Sequence, residues 1–143
     1  MSFENLQGYA KKKLLKIYNY INDIGRKEGA IPTNLPELLE IKQRAARRTT
    51  INDHLVTLLV ESLQVKPKLI VELGVGKGES TFALERVAKL CGARLVSVDR
   101  YDRSQVCTWE DWIFTIQDDV EFAAHFKDWS QERGFSPTID VLF

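Results

Sequence analysis

Apolar residues along this chain follow two rhythms. The first part is helix-spaced throughout; the later part alternates short unbroken apolar runs with helix-spaced segments. From residue 3 to about 24, Leu6, Leu14, Ile17, Tyr18, Ile21 and Ile24 keep a helical spacing, closed by Gly25 and Gly29. Ile31 to Pro36 is a loop with two prolines. Pro36 suits the first turn of a second helix running to about Arg47. Thr50 is a good N-cap for a third helix, from Ile51 to about Leu63, with Leu55, Leu58, Leu59 and Leu63 on its apolar face.

Beyond Pro67 the rhythm changes. Leu69–Leu73, Leu95–Val98, Trp112–Gln117 and Ile139–Phe143 are short runs rich in aliphatic, β-branched or aromatic residues, and they read as strands. Between the first two, Phe82, Ala83, Val87 and Leu90 share one side of a helix that Cys91-Gly92 ends, with Gly92 as a left-handed cap. Between the last two, Phe122, Phe126 and Trp129 mark one side of a helix that Gly134 ends. Val106–Asp111 reads as a helical turn. Strands alternating with helices predict an α/β fold around a parallel sheet. The predicted division is a helical cap over residues 1–67 and an α/β domain over 68–143.

The first strand runs into Gly74-Val75-Gly76-Lys77-Gly78, and a helix follows from Ser80. Glycine permits positive φ and close approach of a ligand to the backbone. Free N–H groups at the helix start favour a polar or anionic group. Spacing separates the ligand classes that use such a turn. The dinucleotide pattern G-x-G-x-x-G, counted from Gly74, meets Glu79 at its third glycine. The P-loop pattern needs Ser or Thr after Gly76-Lys77 and finds Gly78, and it finds Val71 where its first glycine belongs. What remains is E-x-G-x-G-x-G, from Glu72 to Gly78. A carboxylate there suits a ligand carrying an ammonium and a sulfonium and repels a pyrophosphate. Asp99 stands at the tip of the second strand, 21 residues after Gly78. That is close to the roughly 20-residue spacing at which an acid meets a ribose in nucleotide-binding βαβ units.

Glu72, the three glycines and Asp99 together resemble the cofactor-binding motifs of class I S-adenosylmethionine-dependent methyltransferases. The resemblance covers most of residues 68–143. Ile139-Asp140-Val141-Leu142-Phe143 is similar to the fourth-strand opening of bacterial small-molecule O-methyltransferases, including the cephalosporin-hydroxylase-like group. The resemblance implies a Rossmann-like fold with strand order 3-2-1-4 and crossover helices on both faces, the cofactor lying across the strand ends at the switch between the first and fourth strands. It implies that Glu72 faces the methionyl ammonium, directly or through water. Gly74, Gly76, Gly78 and Ser80 would bring the backbone to the cofactor, Asp99 would take the ribose hydroxyls, and Tyr101 and Asp119 would flank the adenine. The family commonly has Gly-Asp after the third strand; here Asp118 replaces the glycine, so the contact would fall on Asp119 or shift to Asp118. Acids favouring a helix N-terminus are the other reading of that pair. Tyr101 reads equally as a base-stacking or an ordinary surface residue.

The implied reaction is methyl transfer to an oxygen of a small hydroxylated molecule, resting on alignment of the reacting groups. A divalent cation in a longer protein is compatible with it. The region that supplies catalytic groups in that family follows the fourth strand, and three more strands normally follow. The expectation is therefore a truncated sheet whose exposed edge favours self-association. Two alternatives stay open: a non-catalytic S-adenosylmethionine-binding module, and a different nucleotide-binding enzyme such as an NAD-dependent dehydrogenase.

Composition narrows the partners. Twenty basic and twenty acidic residues cancel, so no global field draws in nucleic acid or an anionic membrane. No apolar run reaches the roughly 18 residues a bilayer span needs. Glu4 lies where a secretory signal would be apolar, and Cys91 and Cys107 are too few and too far apart for a zinc or redox motif. These features predict a cytoplasmic chain with reduced thiols. Lys11–Lys13 reads as a solvated face. Arg44, Arg47 and Arg48 form a patch suited to salt bridges or to an acidic ligand. Trp109 and Trp112 read as packing residues and His125 as a surface residue.

Overall fold

The computed structural model describes residues 34–143. The expected first helix and Lys11–Lys13 lie outside these residues. Helix α1 (Pro36–Ala45) starts at its proline and buries Leu38 and Ile41. The next helix begins later than Thr50 suggests. Asn52–His54 forms a 3₁₀ turn, and α2 proper is Leu55–Val65. Here the Asn52 side chain ties the turn to the end of α1, donating to the Ala45 carbonyl at 3.2 Å and to Asp53 Oδ1 at 3.2 Å. Lys66 ends α2 in a left-handed conformation at φ 51°.

Four strands make one all-parallel sheet: β1 (Leu69–Leu73), β2 (Arg94–Asp99), β3 (Trp112–Ile116) and β4 (Val141–Leu142), in the order β3-β2-β1-β4. This is the expected strand order. β1 and β2 pair from Leu69↔Arg94 to Leu73↔Val98, and β2 and β3 from Leu95↔Trp112 to Asp99↔Ile116. β4 is shorter than the run Ile139–Phe143 suggests. Backbone bonds from Asp140 N to Leu69 O (3.0 Å) and from Phe143 N to Val71 O (3.0 Å) nevertheless carry its pairing across both ends.

Alternation along β1 decides what each face holds. Leu69, Val71 and Leu73 pack with Val96 and Val98 beneath α4 (Asp119–Glu132), which contributes Phe122, Phe126 and Trp129. Those rings pack against one another: Phe122 and Trp129 meet edge to face at 5.2 Å, and Phe135 closes on Trp129 at 6.0 Å. Ile70 and Glu72 point to the other face, under α3 (Glu79–Cys91), which α2 and then α1 cover. Helices therefore lie on both faces. The link from β2 to β3 carries only a 3₁₀ turn, Ser104–Val106, a few residues before the expected helical turn. Pro36–Phe143 packs as one unit, so α1 and α2 belong with the sheet.

Candidate functional site

The turn between β1 and α3 sits at the carboxyl end of the sheet. Gly74, Gly76 and Gly78 all have positive φ, at 91°, 54° and 79°. An L side chain in that region costs roughly 1–2 kcal/mol per residue. Space separates the three positions. A Cβ at Gly74 or Gly76 would meet no atom within 4 Å, so these backbones face open volume. A Cβ at Gly78 would lie 2.9 Å from Val106 Cβ, so Gly78 is required by packing against the β2–β3 link. Gly78 is also the N-cap of α3, and no side chain caps that helix.

Asp99 ends β2 beside this turn. Its Oδ2 accepts from the amides of Val75 (3.0 Å) and Gly76 (3.1 Å), and its Oδ1 accepts from Tyr101 N at 2.9 Å. Arg103 Nε lies 3.8 Å from Oδ2. Desolvation would raise the Asp99 carboxyl; the amides of Tyr101, Gly76 and Val75, helped by Arg103, outweigh it and hold the group below its ordinary range. Each carboxylate oxygen has two lone-pair directions. With one amide on Oδ1, that oxygen retains acceptor capacity.

Glu72 is on the same face of the sheet as Asp99 by register, two positions back along paired strands. It is fully buried. Ser80 Oγ donates to its Oε1 at 2.5 Å, Ser97 Oγ to its Oε2 at 2.6 Å, and Thr81 Oγ1 lies 2.9 Å from Oε2. Ser97 Oγ in turn accepts from Trp112 Nε1 at 2.8 Å. Burial pushes the Glu72 carboxyl up, against the lowering effect of Ser80, Ser97 and Thr81. The carboxylate reaches no open cleft; it ties β1 to β2 and to the first turn of α3. Trp112 has the packing role expected of it, and it also belongs to this network.

Two clefts flank the glycine turn and share Gly74, Gly76 and Arg103 as their divide. The larger, about 1070 Å³, lies between the turn with Ser80 and the segment Arg48–Asp53, with Phe143 at its rim. Two buried polar atoms here, Thr49 Oγ1 and Arg103 Nε, have no hydrogen-bond partner among the described residues, although Arg103 Nε keeps its 3.8 Å ion pair with Asp99. The smaller, about 350 Å³, opens along Asp99, Tyr101, Gln117 and Asp119. Of the residues singled out in sequence, the clefts bring together Gly74, Gly76, Ser80, Asp99, Tyr101 and Asp119; Gly78 lines neither and is packed against Val106. Asp118 stands apart: it is the N-cap of α4, accepting from Val120 N (3.0 Å) and Glu121 N (3.3 Å). The pair thus divides, with Asp118 serving the helix and Asp119 lining the cleft.

The arginine patch divides too. Arg44 forms a two-point salt bridge with Glu79, at 2.9 and 3.2 Å, while Arg48 lines the larger cleft. Arg103, Gln117 and Phe143 were missed as lining residues. Only Arg103 carried a signal, four residues after Asp99. His125 is exposed, with Nδ1 2.9 Å from the Glu121 carbonyl. Among the described residues no group of three or more His, Cys, Asp or Glu could hold a metal ion. No helix among them is long and apolar enough to cross a membrane. Compared with known proteins, the chain matches no family model and no curated protein.

Proposed function

We propose that this chain binds S-adenosylmethionine across the glycine turn and belongs to a Rossmann-like methyltransferase acting on an oxygen of a small hydroxylated molecule. The observation that carries the reading is the pairing of three positive-φ glycines at the end of β1 with the Asp99 carboxylate at the end of β2, between two clefts that meet at the turn. The donor set fits the group. Open volume before Gly74 and Gly76 admits a ligand to the backbone. Asp99 Oδ1 has room to accept a ribose hydroxyl while Oδ2 keeps the turn in place. Tyr101, 67% exposed, offers a ring face beside Asp119 for a base.

In the larger cleft, Thr49 Oγ1 has no hydrogen-bond partner among the described residues and suits an amino-acid-like tail, and Arg48 and Arg103 add positive charge, that of Arg103 shared with Asp99. Glu72 takes a different role from the one the resemblance implies: it holds the turn from behind and does not meet the ammonium. When bound, the cofactor supplies a methyl group on a sulfonium. The chain's residues fix its orientation, and rate comes from aligning the acceptor oxygen with that methyl.

Calorimetry with S-adenosylhomocysteine, NAD and ATP tests the reading. S-adenosylhomocysteine should bind, and Asp99→Ala should weaken it by about 1–3 kcal/mol through lost buried hydrogen bonds. NAD binding without S-adenosylhomocysteine binding would reject the proposal.

A further inference from the structure

The opposite end of the sheet carries a second concavity, about 540 Å³, with different chemistry. Lys66, Lys68, Arg94 and Arg133 line it, against a single acid, Asp140. The fold forces the cations together from separate segments. Lys68 immediately precedes β1 and Arg94 opens the adjacent parallel β2, with Arg94 N donating to the Lys68 carbonyl at 2.9 Å. Lys66 and Arg133 follow the ends of α2 and α4.

Helix ends account for part of this. A cation after a helix C-terminus is favoured by the macrodipole, and Arg133 also donates to the Trp129 carbonyl at 3.3 Å. Lys68 and Arg94 have no such reason. Neither they nor Lys66 forms an ion pair within 4.0 Å among the described residues. Arg94 is in register with Leu69, so Lys68 and Arg94 are offset by one residue and come to this concavity from adjacent strand starts without pairing across the sheet. Asp140 offsets one of these charges: its Oδ2 accepts from the amides of Lys68 (2.7 Å) and Leu69 (3.0 Å) and its carboxylate interacts with the Lys68 charge, which leaves the lining with an excess of cations. Arg94 is held over the Phe135 ring at 5.7 Å, which sets its guanidinium at the wall. Ser136 and Thr138 add hydroxyls to the same concavity.

We propose that this concavity is a phosphate site, in which Lys66, Lys68 and Arg94 bind the phosphate of a small molecule, away from and independent of the glycine turn. A guanidinium fork matches phosphate oxygens in two-point fashion, and lysine supplies point charge beside it. The volume suits a phosphorylated metabolite as well as the free ion.

The test is calorimetry on the full chain in an anion-poor buffer, with inorganic phosphate, glucose 6-phosphate and glucose as probes. Saturable binding of either phosphate species but not of glucose supports the site. Tighter binding of the ester assigns a phosphorylated small molecule, and equal binding assigns free phosphate. The double variant Lys68→Gln/Arg94→Gln should weaken binding roughly tenfold or more, and Arg103→Gln at the other end of the sheet should leave it unchanged. Should the double variant lose its cooperative melt, Lys66→Glu at an exposed position reads the same charge and should weaken binding severalfold. No binding of either phosphate species, undiminished affinity in the folded charge variants, or equal loss in Arg103→Gln would overturn the proposal.

Discussion

Glu72→Leu removes the one acceptor shared by three buried hydroxyls. Ser80 and Thr81 lie in the first turn of α3, where a hydroxyl can turn back to a carbonyl of the preceding turn. Ser97 has no such exit. It sits in mid-strand, its oxygen already accepts from Trp112 Nε1, and its proton goes to Glu72. An orphaned buried donor costs about 1–3 kcal/mol, so with partial rescue of the other two the loss should be about 2–4 kcal/mol. That is a large share of the roughly 5–15 kcal/mol that keeps a domain folded. Glu72→Gln keeps the shape and one acceptor oxygen, and should cost about 1 kcal/mol at acid pH.

The two variants also separate by pH. The folded Glu72 carboxyl titrates above its ordinary value of 4.5. Between those two values the native state binds more protons than the unfolded state. Stability is therefore full below the ordinary value and falls as pH rises through the folded value, by at most about 1.4 kcal/mol per pH unit. Asp99, Asp102 and Asp140 are shifted down from 3.8, so their contribution is present at higher pH and is lost only as pH falls through their folded values. The two windows do not overlap. Urea melts followed by tryptophan fluorescence from about pH 4 to 9 should show the decline in the parent chain and its disappearance in Glu72→Gln. An identical slope in both, or a Glu72→Leu chain within about 0.5 kcal/mol of the parent, would refute the account of this cluster.

Asp118→Ala should cost about 1 kcal/mol in thermal or urea unfolding through loss of the α4 cap, and Asp118→Asn should restore most of it. Gly78→Ala should destabilise more than Gly92→Ala: both sit at positive φ, but only at Gly78 does the new Cβ press on Val106, at 2.9 Å, so comparing the two melting shifts isolates the contact. A double-mutant cycle on Arg44 and Glu79 should give a coupling below about 1 kcal/mol, since Arg44 remains a quarter exposed. Glu72→Gln, measured by calorimetry in the folded protein, should change S-adenosylhomocysteine affinity far less than Asp99→Ala does.

Much of the fold was legible because it rests on short-range signals. Leu69–Leu73 bounded by Pro67 and Gly74 leaves few choices besides a buried strand, and the three alternating glycines announce the positive φ angles found there. The partners of Glu72 were not read, although strand parity points to them. Glu72 shares a face with Ile70 and not with Val71, and Ser80, Thr81 and Ser97 are the polar residues on elements packing against that face. An acid at that place was read by the charge of a ligand before the parity of its strand. The start of α2 was missed for a different reason: Thr50 is a favourable cap by type, but the Asn52 side chain bonds back to the Ala45 carbonyl and to Asp53, and a 3₁₀ turn precedes the helix. Lining residues such as Gln117 and Phe143 carry no local signature. They become neighbours of the turn only through strand order, which no single segment encodes.

The two acids of the site therefore divide the work on one turn. Asp99 takes the amides of Val75 and Gly76 from the cleft side, and Glu72 takes Ser80 and Thr81 of α3 from the buried side. Gly74–Gly78 is flexible by composition, and glycine loses more conformational freedom on folding than any other residue. Hydrogen bonds at both ends of the segment fix its shape before any ligand arrives. Burying Glu72 where it cannot touch solvent costs desolvation, which three hydroxyls only partly offset. Such a cost at the base of the turn fits a segment whose geometry is held in advance, because a preorganised backbone loses less entropy when it binds. The acid ahead of the glycines therefore belongs to the scaffold of the turn, and of the two carboxylates only Asp99 borders the clefts.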